Sequence, residues 1–199
     1  NFESAGTIRF LVAEYKRLIS KLEKVSGMKF DEKRLVDSIR LFNYHRSLIS
    51  ELANLKKVEP WRLTLAEYYL ILRLGTLIPR EIHTKVLENM LFYLKKRNRK
   101  KKDAIRVLLI GSFCEQPTYD IIQLLEEVGC YVVDDELQIP FRWISNDIFR
   151  ESNENNALEN LAKDYIKSNI DIAVRKAPVM KHESILSREK EANAQGVVF

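Results

Sequence analysis

The chain has 199 residues, 46% hydrophobic and 31% charged, with a formal net charge of +5, which fits one large domain or two small ones with a substantial core. Two cysteines without a short pairing pattern argue against a disulfide scaffold and fit a reducing, cytoplasmic setting better. No apolar run approaches the ~20 residues of a membrane span, and the opening NFESAGTIRF lacks the basic start and apolar stretch of a signal peptide.

Ile8, Leu11, Val12, Tyr15, Leu18, Ile19 and Leu22 recur at helical spacing and predict a helix over Thr7–Val25, stopped by Gly27. Asp31 is the expected N-cap of a second helix, with Leu35, Ile39, Phe42, Arg46, Ile49 and Ala53 along one face. The short connection predicts that these two helices pack antiparallel. Glu59-Pro60-Trp61 is a break. Thr64, with Glu67 three residues on, forms a capping box for a third helix, and Pro79 opens a fourth that runs to about Asn98. Lys95, Lys96, Arg97, Arg99, Lys100, Lys101 and Lys102 then form one cationic run, expected to be a solvated helix end and linker. Such a run can bind nucleic acid, but no nucleic-acid fold signature accompanies it.

From Arg106 the pattern changes. Val107–Ile110 reads as a strand, Tyr119–Val128 as a helix, Tyr131–Val133 as a strand and Pro140–Trp143 as a loop. A helix over Ala157–Ile170 carries Leu158, Leu161, Tyr165 and Ile166 on one face; another is expected at Ser184–Ala194, before a strand at Val197–Phe199. The fold class is therefore α/β: a helical segment over 1–102, then a Rossmann-like, doubly wound parallel unit over 103–199. The abrupt start and the final apolar QGVVF give the expectation of an interior piece of a longer polypeptide, with the α/β unit incomplete at its C-terminus.

The stretch RVLLIGSFCEQP, Arg106–Pro117, is the layout of a buried parallel strand emptying into a loop at its carboxyl end, where open α/β sheets place their ligands. Cys114 in that loop reads either as a small core residue or as a ligand or nucleophile; a thiolate there suits a soft metal or an iron–sulfur cluster. Glu115 is an acid/base candidate or a solvated loop residue, and Gln116 a hydrogen-bond donor to a ligand. Asp134, Asp135 and Glu136 form an acidic run at a strand end that binds a cation, orients other groups or is solvated. Arg142 and Trp143 pair a cation with an aromatic ring, a combination that contacts aromatic or nucleotide ligands. Cys130 reads as strand packing, Arg62 as a surface ion pair, and His45, His83 and His182 as structural or exposed. There is no Gly-rich phosphate loop, GxSxG or HExxH.

GSFCEQP, the amphipathic Tyr119–Val128, GCYVVDDE and the nearby RW together resemble the cysteine loop of the benzoyl-CoA reductase/2-hydroxyacyl-CoA dehydratase family, and lean toward the reductases. LANLKKVEPWRLTLAEYYLILRLGTLIPRE is similar to the family's helical segment, and APVMKHESILSREKEANAQGVVF to its approach to a later strand, so the likeness covers almost the whole chain. The resemblance implies one subunit of a heteromer with a related subunit. It implies an oxygen-sensitive 4Fe–4S cluster on three cysteines near an acyl-CoA, and a separate ATP-hydrolysing iron–sulfur activator that supplies electrons. The reductases reduce the aromatic ring of benzoyl-CoA to a cyclic dienoyl-CoA; the dehydratases remove water through a ketyl radical. Cys114 matches a family ligand, whereas the other two cysteines have no counterpart in residues 1–199. The implied roles are Cys114 as cluster ligand, Glu115 and Gln116 as acid/base or supporting groups, and Arg142 and Trp143 as substrate contacts. Steering of a phosphate-rich acyl-CoA would suit the cationic run. The rival expectations are a dehydratase subunit and a cluster-free structural partner.

Overall fold

The computed structural model describes residues 4–111, 118–137, 156–170 and 178–199. Among them are four helices before any strand: α1 (Ala5–Ser26), α2 (Glu32–Val58), α3 (Leu65–Leu74) and α4 (Arg80–Lys96). There follow β1 (Ile105–Leu109), α5 (Tyr119–Glu127), β2 (Cys130–Asp135), α6 (Ala157–Ile170), α7 (Pro178–Ala192) and β3 (Gly196–Val198). The strands form one parallel sheet in the order β2-β1-β3. This is the expected α/β class, with helices first and parallel strands after. The line at 102/103 separates the chain by sequence pattern; by packing, the chain forms two compact units, residues 1–43 with 145–176 and residues 44–144 with 177–199.

In the first unit, the Ser4 hydroxyl accepts the Thr7 N–H to start α1. Gly27, at φ 71°, ends it by donating its N–H to the Glu23 carbonyl, a conformation that costs glycine little. The helix with which α1 chiefly packs is α6. That replaces the expected antiparallel α1–α2 pair: apolar residues spaced along α1 specify a face, not the helix that covers it. Asp31 caps α2 as expected, accepting the Lys33 N–H at 2.9 Å. The buried row of α2 is offset from the expected one, with Val36 and Ile39 buried and Phe42 exposed.

The second unit is built on the sheet. Leu48, Ile49, Leu52 and Leu55 of α2 share one core with α3, with Leu87, Leu91 and Leu94 of α4, and with Val107, Ile122 and Val132. Leu108, Ile110 and Val133 face the other way and meet Ala192 of α7. Alternate β1 residues thus enter two cores, as a parallel strand covered on both faces requires. The capping box of α3 is present: Thr64 accepts from the Glu67 N–H and Glu67 accepts from the Thr64 N–H. Two boundaries differ from expectation. Pro79 is the N-cap of α4 rather than its first residue, and α7 begins at Pro178, six residues before Ser184. Proline at a first helical position needs no N–H partner, so it opens a helix that apolar spacing alone places later.

Candidate functional site

The strand order β2-β1-β3 means that the chain leaves β1 for a neighbour on one side and later returns on the other. That reversal is a topological switch point, and ligands of open α/β sheets bind outside the carboxyl ends of the strands there. The end of β1 is held from both sides: Glu136 N–H donates to the Leu109 carbonyl at 2.9 Å, and Ile110 N–H donates to the Val198 carbonyl at 2.8 Å. Gly111 follows at φ 118°, a conformation closed to most side chains. Cys114, Glu115 and Gln116 come next in the chain and lie outside the described residues, as do Arg142 and Trp143.

The described wall of this edge is the acidic run, and it is neither solvated nor open. The pairing of β1 with β2 shifts by one residue between Val107 and Leu108, which sets Asp134 opposite Leu108 and Asp135 opposite Leu109. Strand alternation then sends the two carboxylates to opposite faces. Asp135 pairs with Lys56 of α2 at 2.7 Å, both side chains almost wholly buried, and accepts the Leu137 N–H at 3.1 Å. Asp134 and Glu136 both pair with Arg188 of α7, each at 2.8 Å, and the same guanidinium donates to the Asp135 carbonyl at 3.1 Å. Glu136 also accepts the Gly111 N–H at 3.4 Å.

Burial by itself would raise the Asp134 carboxyl, but the hydrogen bond and charge of Arg188, with Lys56 and Lys57 behind, hold it below the ordinary range. The same partners raise Arg188 against the effect of its own burial. Tyr68, packed 5.2 Å from the Lys56 ammonium, is pushed well above the usual phenol value by burial and then by Asp135 and Asp134. Of the three readings open to the acidic run, orienting other groups is therefore the one the geometry fits. Arg188 and Lys56 were not picked out from sequence. Lys56 carried a signal all the same: a lysine in phase with Leu48, Leu52 and Leu55 on an apolar face needs a buried partner.

The histidines form a second polar cluster. His45 of α2 and His83 of α4 are buried with Nε2 and Nδ1 only 2.7 Å apart. His83 Nε2–H donates to the Ile71 carbonyl at 2.9 Å, and the Arg80 guanidinium lies 3.1 Å from the same His45 Nε2 that meets His83. Burial, then the charges of Arg80, His83 and Arg46, lower His45 to about 3; burial also lowers His83. Both rings are thus neutral and structural, as expected, though as a pair that a 38-residue separation hides. The His182 side chain lies outside the described residues. Among the described residues no group of three or more His, Cys, Asp or Glu could hold a metal ion.

The remaining candidates have structural roles. Cys130 begins β2 and packs against the main core, and Arg62 pairs with Glu59 at 3.0 Å. Five side chains of the cationic run make contacts: Lys95 pairs with Glu51, Arg97 and Arg99 with Glu67, Lys96 lies over Phe92, and Lys101 lies over Trp61. No helix among the described residues is long and apolar enough to cross a membrane.

The family model for the 2-hydroxyglutaryl-CoA dehydratase D-component matches residues 3–199. The chain belongs to that family. It is 32% identical over 192 residues to one of the benzoyl-CoA reductase subunits of Thauera aromatica, covering 96% of this chain and 49% of that protein. It is 23% identical to the (R)-phenyllactyl-CoA dehydratase beta subunit of Clostridium sporogenes over 96% of this chain and 49% of that protein. It is 24% identical to the lactoyl-CoA dehydratase beta subunit of Anaerotignum propionicum over 78% of this chain and 40% of that protein. The chain spans about half the length of these relatives, all of which are subunits of enzymes. The resemblance first seen in GSFCEQP and GCYVVDDE thus extends to the whole chain, and in this member of the 2-hydroxyglutaryl-CoA dehydratase D-component family β1 ends at the switch point of a parallel sheet.

Proposed function

We propose that this chain is part of a subunit of an oxygen-sensitive iron–sulfur enzyme acting on an acyl-CoA, and that the reaction is ATP-dependent reduction of the aromatic ring of benzoyl-CoA to a cyclic dienoyl-CoA. The observation that carries the reading is the 32% identity to a benzoyl-CoA reductase subunit over 96% of the chain, against 23% to a dehydratase subunit over the same extent. The switch point at the end of β1 supports it, because the cysteine loop begins there.

In this reading Cys114 ligates iron. Two cysteines cannot hold a 4Fe–4S cluster, so the residues of this chain do not complete the site, and the other ligands come from outside residues 1–199. When bound, the cluster supplies low-potential electrons near the acyl group. Glu115 holds or donates a proton at the substrate, Gln116 donates a hydrogen bond there, and Arg142 and Trp143 contact the acyl-CoA. The enzyme is completed by a related subunit, an ATP-hydrolysing iron–sulfur activator delivers electrons, and the complex works in the cytoplasm.

The second reading, supported by the two dehydratase relatives, is a 2-hydroxyacyl-CoA dehydratase subunit. Full-length protein with its related subunit, activator, ATP and a reductant, kept strictly anaerobic, separates the two. Conversion of benzoyl-CoA to a cyclic dienoyl-CoA supports the first, and loss of water from a 2-hydroxyacyl-CoA with benzoyl-CoA untouched overturns it. Neither reaction, with no iron bound, favours a structural partner.

A further inference from the structure

We propose that two copies of this chain meet through α5 of one and the groove between α3 and α4 of the other. All three helices belong to the second unit. Leu70 and Ile71 of α3 line one wall of the groove, and Met90, Tyr93 and Leu94 of α4 line the other, around a space of about 590 Å³. Ile71 and Leu94 are buried, whereas Leu70 is 50% and Tyr93 67% exposed, so the floor is packed and the walls stand open. Single apolar side chains on a surface need no explanation. A groove of them, with a methionine and an aromatic ring on its walls, has the makeup of an interface core. Two ridges of helical side chains with a furrow between them seat a third helix.

Charge names the helix that fits. Lys96 and Arg97 close the groove at the end of α4. Arg97 and Arg99 share the one carboxylate of Glu67, and Lys96 lies over the Phe92 ring, so this end carries a surplus of positive charge. The complement stands on α5. Ile121, Leu124 and Val128, each more than half exposed, form an apolar row at steps of three and four residues. The helix contains no lysine or arginine. Glu126 is turned to the Leu65 and Ala66 N–H groups, while Asp120 and Glu127 fall by helical phase along one flank of the row. An acidic amphipathic helix thus faces solvent on the same unit that holds an apolar groove with a cationic end. Because α5 packs against α3, each copy offers both halves, and a two-fold axis lets it give its α5 and receive the other's.

The experiment uses the full-length protein, purified anaerobically, alone and with its related subunit. A photo-crosslinking phenylalanine derivative replaces Tyr93, and copies labelled with heavy nitrogen are mixed with unlabelled ones before illumination. Mass spectrometry of the joined peptides is expected to show the Tyr93 position linked to the peptide that holds Ile121–Val128, in pairs of mixed label. Links within one copy only, links into the related subunit or another part of the chain, or no link at all overturn the proposal. Light scattering over a dilution series then compares wild type with Leu124→Glu and Leu124→Lys. Both variants weaken self-association by roughly 10-fold or more, and lysine weakens it further than glutamate because it meets the cationic end of the groove. Wild-type association in either variant, or equal loss in the two, overturns the proposal. Leu124 is mostly exposed, and the crosslink disturbs no core residue, so it decides the question if a Leu124 variant misfolds.

Discussion

Lys56→Met tests the buried pair that anchors the acidic strand end to α2. The ammonium lies 2.7 Å from Asp135, with side chains 2% and 4% exposed. At an effective dielectric of about 20 the gross attraction is about 6 kcal/mol, but both ions have left water and much of that is offset. Removing one partner exposes the other's desolvation, which costs about 3–5 kcal/mol. Asp135 keeps the Leu137 N–H, and methionine fills most of the lysine volume, so the lower end applies, about 3 kcal/mol. Native-state hydrogen exchange in the full-length protein reads this locally: β1 and β2 amides exchange roughly 100-fold faster. The double variant Lys56→Met, Asp135→Leu leaves neither ion of the pair unpartnered; it loses the contacts with Leu137, the Val132 carbonyl and the Tyr68 ring, and it recovers most of the single variant's loss. A single variant that costs under about 1 kcal/mol, or a double variant no better than the single, refutes the reasoning.

Acid weakens the second unit through the histidine pair. Both rings are neutral when folded, His45 down at about 3, while the unfolded chain titrates near 6.5. The unfolded state therefore binds more protons below about pH 6.5, and stability falls as pH drops from there toward 3, by about 1.4 kcal/mol per unit for His45 alone. Urea midpoints flat between about pH 7 and 5 contradict this. Thr64→Ala removes the acceptor for the Glu67 N–H and costs about 1 kcal/mol, read as faster amide exchange in the first turn of α3. An unchanged exchange rate there means that Glu126, which accepts from the Leu65 and Ala66 N–H groups, caps the helix unaided.

Much of this molecule was legible because local chemistry decides it. Gly27, Asp31 and the Thr64–Glu67 box mark helix ends by bonds within a few residues. The apolar run at Val107–Ile110 is a strand because both of its faces are covered. The offset row of α2 was harder to read, because Lys56 and His45 sit among its buried residues and each finds a polar partner far along the chain. The same holds at the site: a run of three carboxylates looks solvated until Arg188, 52 residues from Glu136, is folded against it. Pairing register is also nonlocal, and the one-residue shift beside Val107 is what sets Asp134, rather than Val133, opposite Leu108. GSFCEQP was informative for another reason, its likeness to a family whose model matches residues 3–199.

The central claim is that the loop after β1 carries an iron ligand. The most direct test is iron and acid-labile sulfide in the anaerobically purified full-length protein with its related subunit, wild type beside Cys114→Ser. Cluster in the wild type, and its loss or marked weakening in Cys114→Ser, is the predicted result. Equal iron in both, or none in either under strict anaerobiosis, contradicts the account.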